Sequence, residues 1–115
     1  MRAKNAAIYA ELLKPLKGVT TPVTRADRTH VFQTYAILVP HRDKVVESMK
    51  AQGVGVLIHY PICLHLQGAY AELGHKKGDF PVAEKVADNV MSLPMFPHMT
   101  KEQIEAVAAA LEKSL

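Results

Sequence analysis

The chain has 115 residues, a formal net charge of +3 and 49% hydrophobic residues, enough for one domain with a real core and too little clustered charge for a nucleic-acid surface. No apolar run approaches the roughly 20 residues of a membrane span, the start Met1-Arg2-Ala3-Lys4-Asn5 lacks a secretory apolar segment, and the single cysteine, Cys63, excludes an intrachain disulfide. The expectation is a soluble cytoplasmic protein of one domain, residues 1–115, with no membrane and no nucleic-acid partner.

Arg2 to Leu16 carries good helix formers with Ile8, Leu12 and Leu13 at helical spacing, and Pro15 predicts where that helix stops. The β-branched Gly18 to Val23 reads as an edge strand, with Pro22 suited to such a position. A polar loop, Thr24 to Thr29, leads into His30 to Val39, the strongest strand signal, apolar on both faces and therefore expected to be central and covered. A helix follows from about His41 to Gln52, with Asp43 in its first turn, Val45, Val46 and Met49 facing inward, and Gly53 at the left-handed cap position.

Val56 to Ile58 reads as a third strand, ending in His59-Tyr60-Pro61. Leu64 to Leu73 is read as a short helix closed by Gly74, and His75-Lys76-Lys77-Gly78 as a loop. Asp79 and Pro81 open a helix with Val82, Val86, Val90 and Met91 along one side. Ser92 to Pro97 reads as a stiff, extended, apolar link. Thr100-Lys101-Glu102-Gln103 matches a capping box, and Ile104, Val107, Ala108 and Leu111 form the buried stripe of the last helix. The predicted fold is a two-layer α/β (α+β) domain: a small, mostly antiparallel sheet of about three strands covered by four to five helices.

Chemistry concentrates between Gly53 and His65. Imidazole and phenol at a strand end can bind a phosphate or a sugar hydroxyl, which makes His59 and Tyr60 binding candidates. Against that stands a purely structural role, His59 satisfying a backbone group and Tyr60 packing; the residue types alone leave the two evenly weighted. His59, Cys63 and His65 fit no common zinc spacing, so no metal is expected. Cys63 beside His65 lacks an orienting carboxylate, so packing is its default role. The chain shows no phosphate loop, GxGxxG, HExxH or GxSxG, and no lysine in a setting that would activate it. Binding groups are present without a catalytic engine, and no catalytic residue is assigned.

Several stretches, taken in order, carry a resemblance. They are His30 to Tyr35, Arg42-Asp43, Gly53 to Pro61, Leu64-His65-Leu66-Gln67 with Tyr70, Gly78 to Glu84, Ser92 to Pro97, and Thr100 to Ile104. The series resembles the C-terminal small domain of the DegT/StrS family of sugar aminotransferases, over practically the whole chain. Cys63 and Gly68 stand where the family often has proline, and His75 where it often has tyrosine. The resemblance implies a fold type I architecture in which a large N-terminal domain holds pyridoxal phosphate and supplies the cofactor lysine. In the complete enzyme an amino group from glutamate or glutamine would pass to a keto sugar carried on a nucleotide. The resemblance also implies that His59 and Tyr60, with His65 and Gln67 as weaker candidates, line the nucleotide-sugar pocket. No cofactor is expected on this chain alone. A severed small domain would leave an apolar face that docks on itself or on an aminotransferase large domain, with the first helix and Leu93 to Pro97 as the expected face.

Overall fold

A computed structural model describes residues 1–115. Four α-helices and two strands follow one another as α1 (Arg2–Leu13), β1 (Tyr35–Leu38), α2 (Arg42–Ala51), α3 (Pro81–Asn89), β2 (Val90–Leu93) and α4 (Lys101–Ser114), with 3-10 turns at Leu64–Leu66 and Gly68–Leu73 between α2 and α3. The sheet is a two-stranded antiparallel pair, with Tyr35 opposite Leu93, Ala36 opposite Ser92, Ile37 opposite Met91 and Leu38 opposite Val90.

The pleat divides that register into two faces. Tyr35, Ile37, Met91 and Leu93 are fully buried and join Tyr9, Leu13, Met49, Ile104 and Leu111 in one core cluster under α1, α2 and α4. Ala36, Leu38, Val90 and Ser92 point to the other face, beside α3 and the 59–67 segment.

The helix boundaries follow local chemistry. Pro15 cannot continue α1, whose buried Asn5, Ala6, Tyr9 and Leu13 form one ridge. α2 ends in a Schellman arrangement: Gly53 at φ 80° donates its N–H to the Lys50 carbonyl at 2.9 Å, and Val54 donates to Met49 at 3.0 Å. α4 opens with the predicted capping box, Gln103 N–H donating to Thr100 Oγ1 at 3.3 Å and Thr100 N–H to Gln103 Oε1 at 3.0 Å. Its buried stripe is the expected one, with Ala110 added.

The expected third strand and the edge strand shrink to single antiparallel bridges, Leu57 with Ser92 and Thr20 with Leu38. The sheet therefore has two strands rather than about three. Thr20 sits between Gly18, at φ 84°, and Pro22, so pairing cannot extend either way. Beyond Leu57 the chain turns off at Tyr60, whose φ of 56° is left-handed. The long strand read from His30 to Val39 keeps only Tyr35–Leu38, because Phe32 takes φ 49° and its N–H bonds back to His30 Nδ1 at 2.8 Å. β1 is central, between the Thr20 bridge and β2, but only one of its faces is covered.

α3 also stops earlier than its apolar spacing suggested. Val90 and Met91 belong to β2 and not to the helix, and the expected link Ser92 to Pro97 begins as the same strand. Leu64 to Leu73 forms two 3-10 turns in place of a single short helix, with no buried residue in either.

Candidate functional site

The uncovered face of the hairpin sheet is the floor of a groove of about 810 Å³. Ala36, Val90 and Ser92 form its base, Val86 and Ala87 of α3 one side, and the 59–67 segment the other. The small side chains of Ala36 and Ser92, paired across the register, leave it deep. Polar groups reach it from Gln33, Thr34, His59, Tyr60 and Gln67.

His59 follows the Leu57 bridge directly. Leu57 donates to the Ser92 carbonyl at 3.2 Å and accepts from Ser92 N–H at 2.7 Å, so backbone pairing sets where the imidazole arrives. Its Nδ1 lies 2.8 Å from Ser92 Oγ. His59 itself is exposed, whereas Ser92 is buried. Tyr60 is 88% exposed, so it does not pack within this chain. A bulky residue held at left-handed φ before a proline costs about 1–2 kcal/mol, and such strain gathers at functional sites. Gln67 lines the groove and donates from Nε2 to the Ile62 carbonyl at 3.3 Å.

His65 is placed differently. Its Nε2 lies 3.0 Å from Glu84 Oε1, its side chain is 8% exposed, and it does not line the groove. Glu84 also accepts from Gly78 N–H at 2.8 Å and from Phe80 N–H at 3.3 Å. Burial of this carboxylate opposes its charge, but the Gly78 hydrogen bond, the His65 hydrogen bond, the Phe80 hydrogen bond and the His65 charge outweigh it, holding the pKa below the ordinary glutamate value. The Phe80 ring lies 4.7 Å from His65 and 5.1 Å from His75 by ring centres. This cluster ties the 64–80 segment to α3 behind the groove wall.

His59 and His65 thus turn to different partners, Ser92 and Glu84, and Cys63 lines the groove between them as a free, half-buried thiol. No three His, Cys, Asp or Glu side chains come together as a metal-binding group. Burial raises the Tyr35 hydroxyl to about 12, and burial together with the Tyr35 charge raises that of Tyr9. Neither lines the groove.

Ser92, Gln33 and Thr34 were not singled out by the sequence. Alternation was the only signal for two of them, and Gln33 had none: Thr34, like Ala36, is out of phase with the inward Tyr35 and Ile37, and Ser92 falls between Met91 and Leu93.

The arrangement defines a small α/β unit that presents one polar-edged, mostly apolar wall for a ligand. The chain belongs to the DegT/DnrJ/EryC1/StrS aminotransferase family, whose profile matches residues 1–112. It is 44% identical over 108 residues to a pleiotropic regulatory protein of Geobacillus stearothermophilus, covering 92% of this chain and 29% of that one. It is 39% identical over 111 residues to the UDP-2-acetamido-2-deoxy-3-oxo-D-glucuronate aminotransferase of Pseudomonas aeruginosa, covering 96% and 30%. Among solved structures it resembles S. venezuelae DesV, determined in complex with a ketimine intermediate, with TM-score 0.92 and 35% identity over 97% of this chain and 30% of that one. The chain spans less than a third of the length of these relatives. No helix is long and apolar enough to cross a membrane.

The family uses pyridoxal phosphate, which needs an amine to bind its aldehyde and donors for its phosphate. No lysine or arginine lines the groove. The residues that line the groove therefore do not fit the cofactor.

Proposed function

We propose that residues 1–115 are the C-terminal small domain of a nucleotide-sugar aminotransferase, and that the groove is the sugar-facing wall of an active site whose cofactor domain lies outside this sequence. In the complete, cytoplasmic enzyme, glutamate or glutamine would supply the amino group and a keto sugar on a nucleotide would receive it. His59, Tyr60 and Gln67 would contact the substrate, and His65 would hold their segment through Glu84. No residue here is assigned a bond-making role, no cofactor would be held by the chain alone, and the chain alone would be inactive. The observation that carries this reading is the groove itself: hydrogen-bonding groups converge on an apolar wall with no amine or guanidinium to hold a phosphorylated cofactor.

The test is a chimera. The preceding part of the Pseudomonas aeruginosa relative would be joined to this chain and assayed for amino transfer to that relative's keto sugar. Activity should appear in the chimera, fall at least about tenfold in His59→Ala, a loss of roughly 1.4 kcal/mol or more in transition-state stabilisation, and be absent from the chain alone. Amino transfer by the isolated chain, or a borohydride-stable cofactor adduct on one of its lysines, would refute the assignment.

A second reading, a docking module that associates with itself or with an intact aminotransferase, has one observation in its favour. Tyr60, Ile62, Leu64 and Val86 are all exposed apolar side chains that line the groove, and clustered apolar exposure marks surfaces that associate. The docking face expected from the sequence is the first helix with Leu93 to Pro97; there Ala6, Tyr9, Leu13 and Leu93 are buried within the chain, while Phe96 is exposed. α1 is pinned to the following segment by Asn5 Nδ2 donating to the Phe96 carbonyl and Tyr9 hydroxyl donating to the Pro94 carbonyl, each at 2.9 Å. A clean monomer in sedimentation at high concentration, with no binding to a full-length relative, would count against this module.

A further inference from the structure

We propose that Ser92 is a positioning residue that sets the tautomer of His59, donating its hydroxyl proton to Nδ1 so that Nε2 carries the ring proton and acts as a hydrogen-bond donor to an oxygen of the bound ligand. The ligand class is an oxygen acceptor, a phosphate oxygen or a sugar oxygen, and that half of the proposal rests on the groove being a substrate wall.

The direction of the Ser92–His59 bond follows from counting partners. The pair are 2.8 Å apart, and His59 Nδ1 is the sole hydrogen-bonding partner of Ser92 Oγ. Ser92 is 6% exposed, in the middle of β2, with its own N–H and carbonyl both committed to Leu57. If Nδ1 carried the proton and donated to Oγ, the serine O–H, only 6% exposed at the groove floor, would have no acceptor within the chain, an arrangement that proteins avoid. If the hydroxyl donates instead, Oγ–H is satisfied and Nδ1 is satisfied. Nε2–H is then the free group of an exposed imidazole that lines the groove. A histidine ring nitrogen takes its role from the bond that the other nitrogen makes. The backbone bridge from Leu57 to Ser92 brings the two side chains together on the outer sheet face, so the same residue fixes both the reach and the protonation pattern of His59.

The geometry gives Ser92 a role that packing would not. A filler at this position could be alanine with no change in the imidazole. A hydrogen-bond donor cannot be replaced that way, because free imidazole populates both neutral tautomers.

The test is heteronuclear NMR of the imidazole nitrogens of the 115-residue chain at about pH 8.5, roughly two units above the ordinary histidine pKa, where the ring is neutral. In the wild type, His59 Nδ1 should show the shift of an unprotonated ring nitrogen and Nε2 that of a protonated one, well separated. In Ser92→Ala the two shifts should move toward each other as the second tautomer becomes populated, and Ser92→Thr, which keeps the hydroxyl, should restore the separation. A proton on Nδ1 in the wild type overturns the proposal and requires no variant to fold. So does a Ser92→Ala protein that retains its backbone amide spectrum and shows unchanged His59 shifts. The measurement uses neither substrate nor cofactor. A chimera inactive in amino transfer would therefore count against the proposed function and leave the tautomer assignment intact, and the converse result would separate them the other way.

Discussion

Arg42 offers the sharpest check on how α2, α3 and β2 are held. It is the first residue of α2, yet it is only 8% exposed. Its Nη1 donates to the Val90 carbonyl at 2.7 Å and to the Ala87 carbonyl at 3.1 Å, both at the C-terminal end of α3. There the helix leaves unpaired carbonyls and a partial negative charge, so a cation is doubly suited. Its Nε also donates to Asp43 Oδ1 at 2.6 Å, but the Asp43 side chain is 80% exposed. Hydrogen bonds to charged groups contribute about 1.5–3 kcal/mol each, and exposed ion pairs about 0–1 kcal/mol. Nη1 carries two N–H groups, one for each carbonyl, and the Ala87 bond is the longer, so we count one full bond and a weaker second, about 3 kcal/mol in all. Arg42→Met keeps the aliphatic stem and removes those donors. For 115 residues, with an unfolding entropy of about 2.1 cal/mol/K per residue, a loss of about 3 kcal/mol lowers Tm by about 12 °C. Asp43→Ala should change stability by less than about 1 kcal/mol. Thermal and denaturant unfolding followed by circular dichroism measures both, and hydrogen exchange should localise the Arg42→Met effect to α3. An Arg42→Met variant within about 0.5 kcal/mol of the wild type, the range of an ordinary surface change, would show that the two carbonyls are satisfied without it.

Thr100→Ala removes one half of the α4 capping box and should cost about 1 kcal/mol in denaturant unfolding. Tyr9→Phe deletes the hydroxyl that donates to the Pro94 carbonyl and should cost about 1 kcal/mol, whereas Tyr35→Phe removes a buried hydroxyl with no partner and should be neutral or stabilising in the same measurement. The raised Tyr35 pKa favours the neutral phenol in the folded chain, so its contribution is complete below about pH 10 and is lost as pH rises toward about 12, which an alkaline unfolding titration would show. Glu84 runs the other way: its lowered pKa contributes stability above the ordinary glutamate value, about 4.3, and that contribution is lost as pH falls through the lower folded value. Hydrogen-exchange protection of Leu64 to Phe80, corrected for the intrinsic pH dependence of amide exchange, should therefore fall on acidification, and Glu84→Gln should show the lower protection already at neutral pH.

The helices were legible because their signals are local. Pro15, Gly53 and the Thr100–Gln103 box each act within a turn of the boundary they set, and each boundary lies close to where the sequence puts it. The strands were less so. A strand needs a partner, and whether Leu57 pairs for one residue or five depends on Ser92 and Pro94, some 35 positions away. α3 misled for a related reason: Val82, Val86, Val90 and Met91 are helically spaced, but the first two are exposed and the last two are claimed by pairing with β1. Within the candidate site, His59 and Tyr60 were visible as polar residues ending an apolar run. His65 was a weaker candidate and faces elsewhere, because Glu84, 19 residues on, captures it. Ser92 was hidden, since one serine in an apolar stretch carries no pattern until its strand partner and its face are known.

The position of the groove follows from the unequal faces of one short hairpin sheet. Its inner face carries Tyr35, Ile37, Met91 and Leu93, side chains large enough to pack under three helices. Its outer face sets Ala36 opposite Ser92, a small cross-strand pair that still includes a hydroxyl. A larger pair would have closed that face by its own side chains and removed both the depth and the hydrogen bond to His59. Small residues on the open side therefore do two jobs through one register: they leave room beside α3, and they place a single buried donor where the chain turns out of the sheet. A one-residue slip of β2 against β1 would bring a buried core residue to the position of Ser92 and point Ser92 into the core. The core packing of Met91 and Leu93 is thus what holds Ser92 against His59, so the integrity of the candidate site is coupled to the stability of the fold at this one strand.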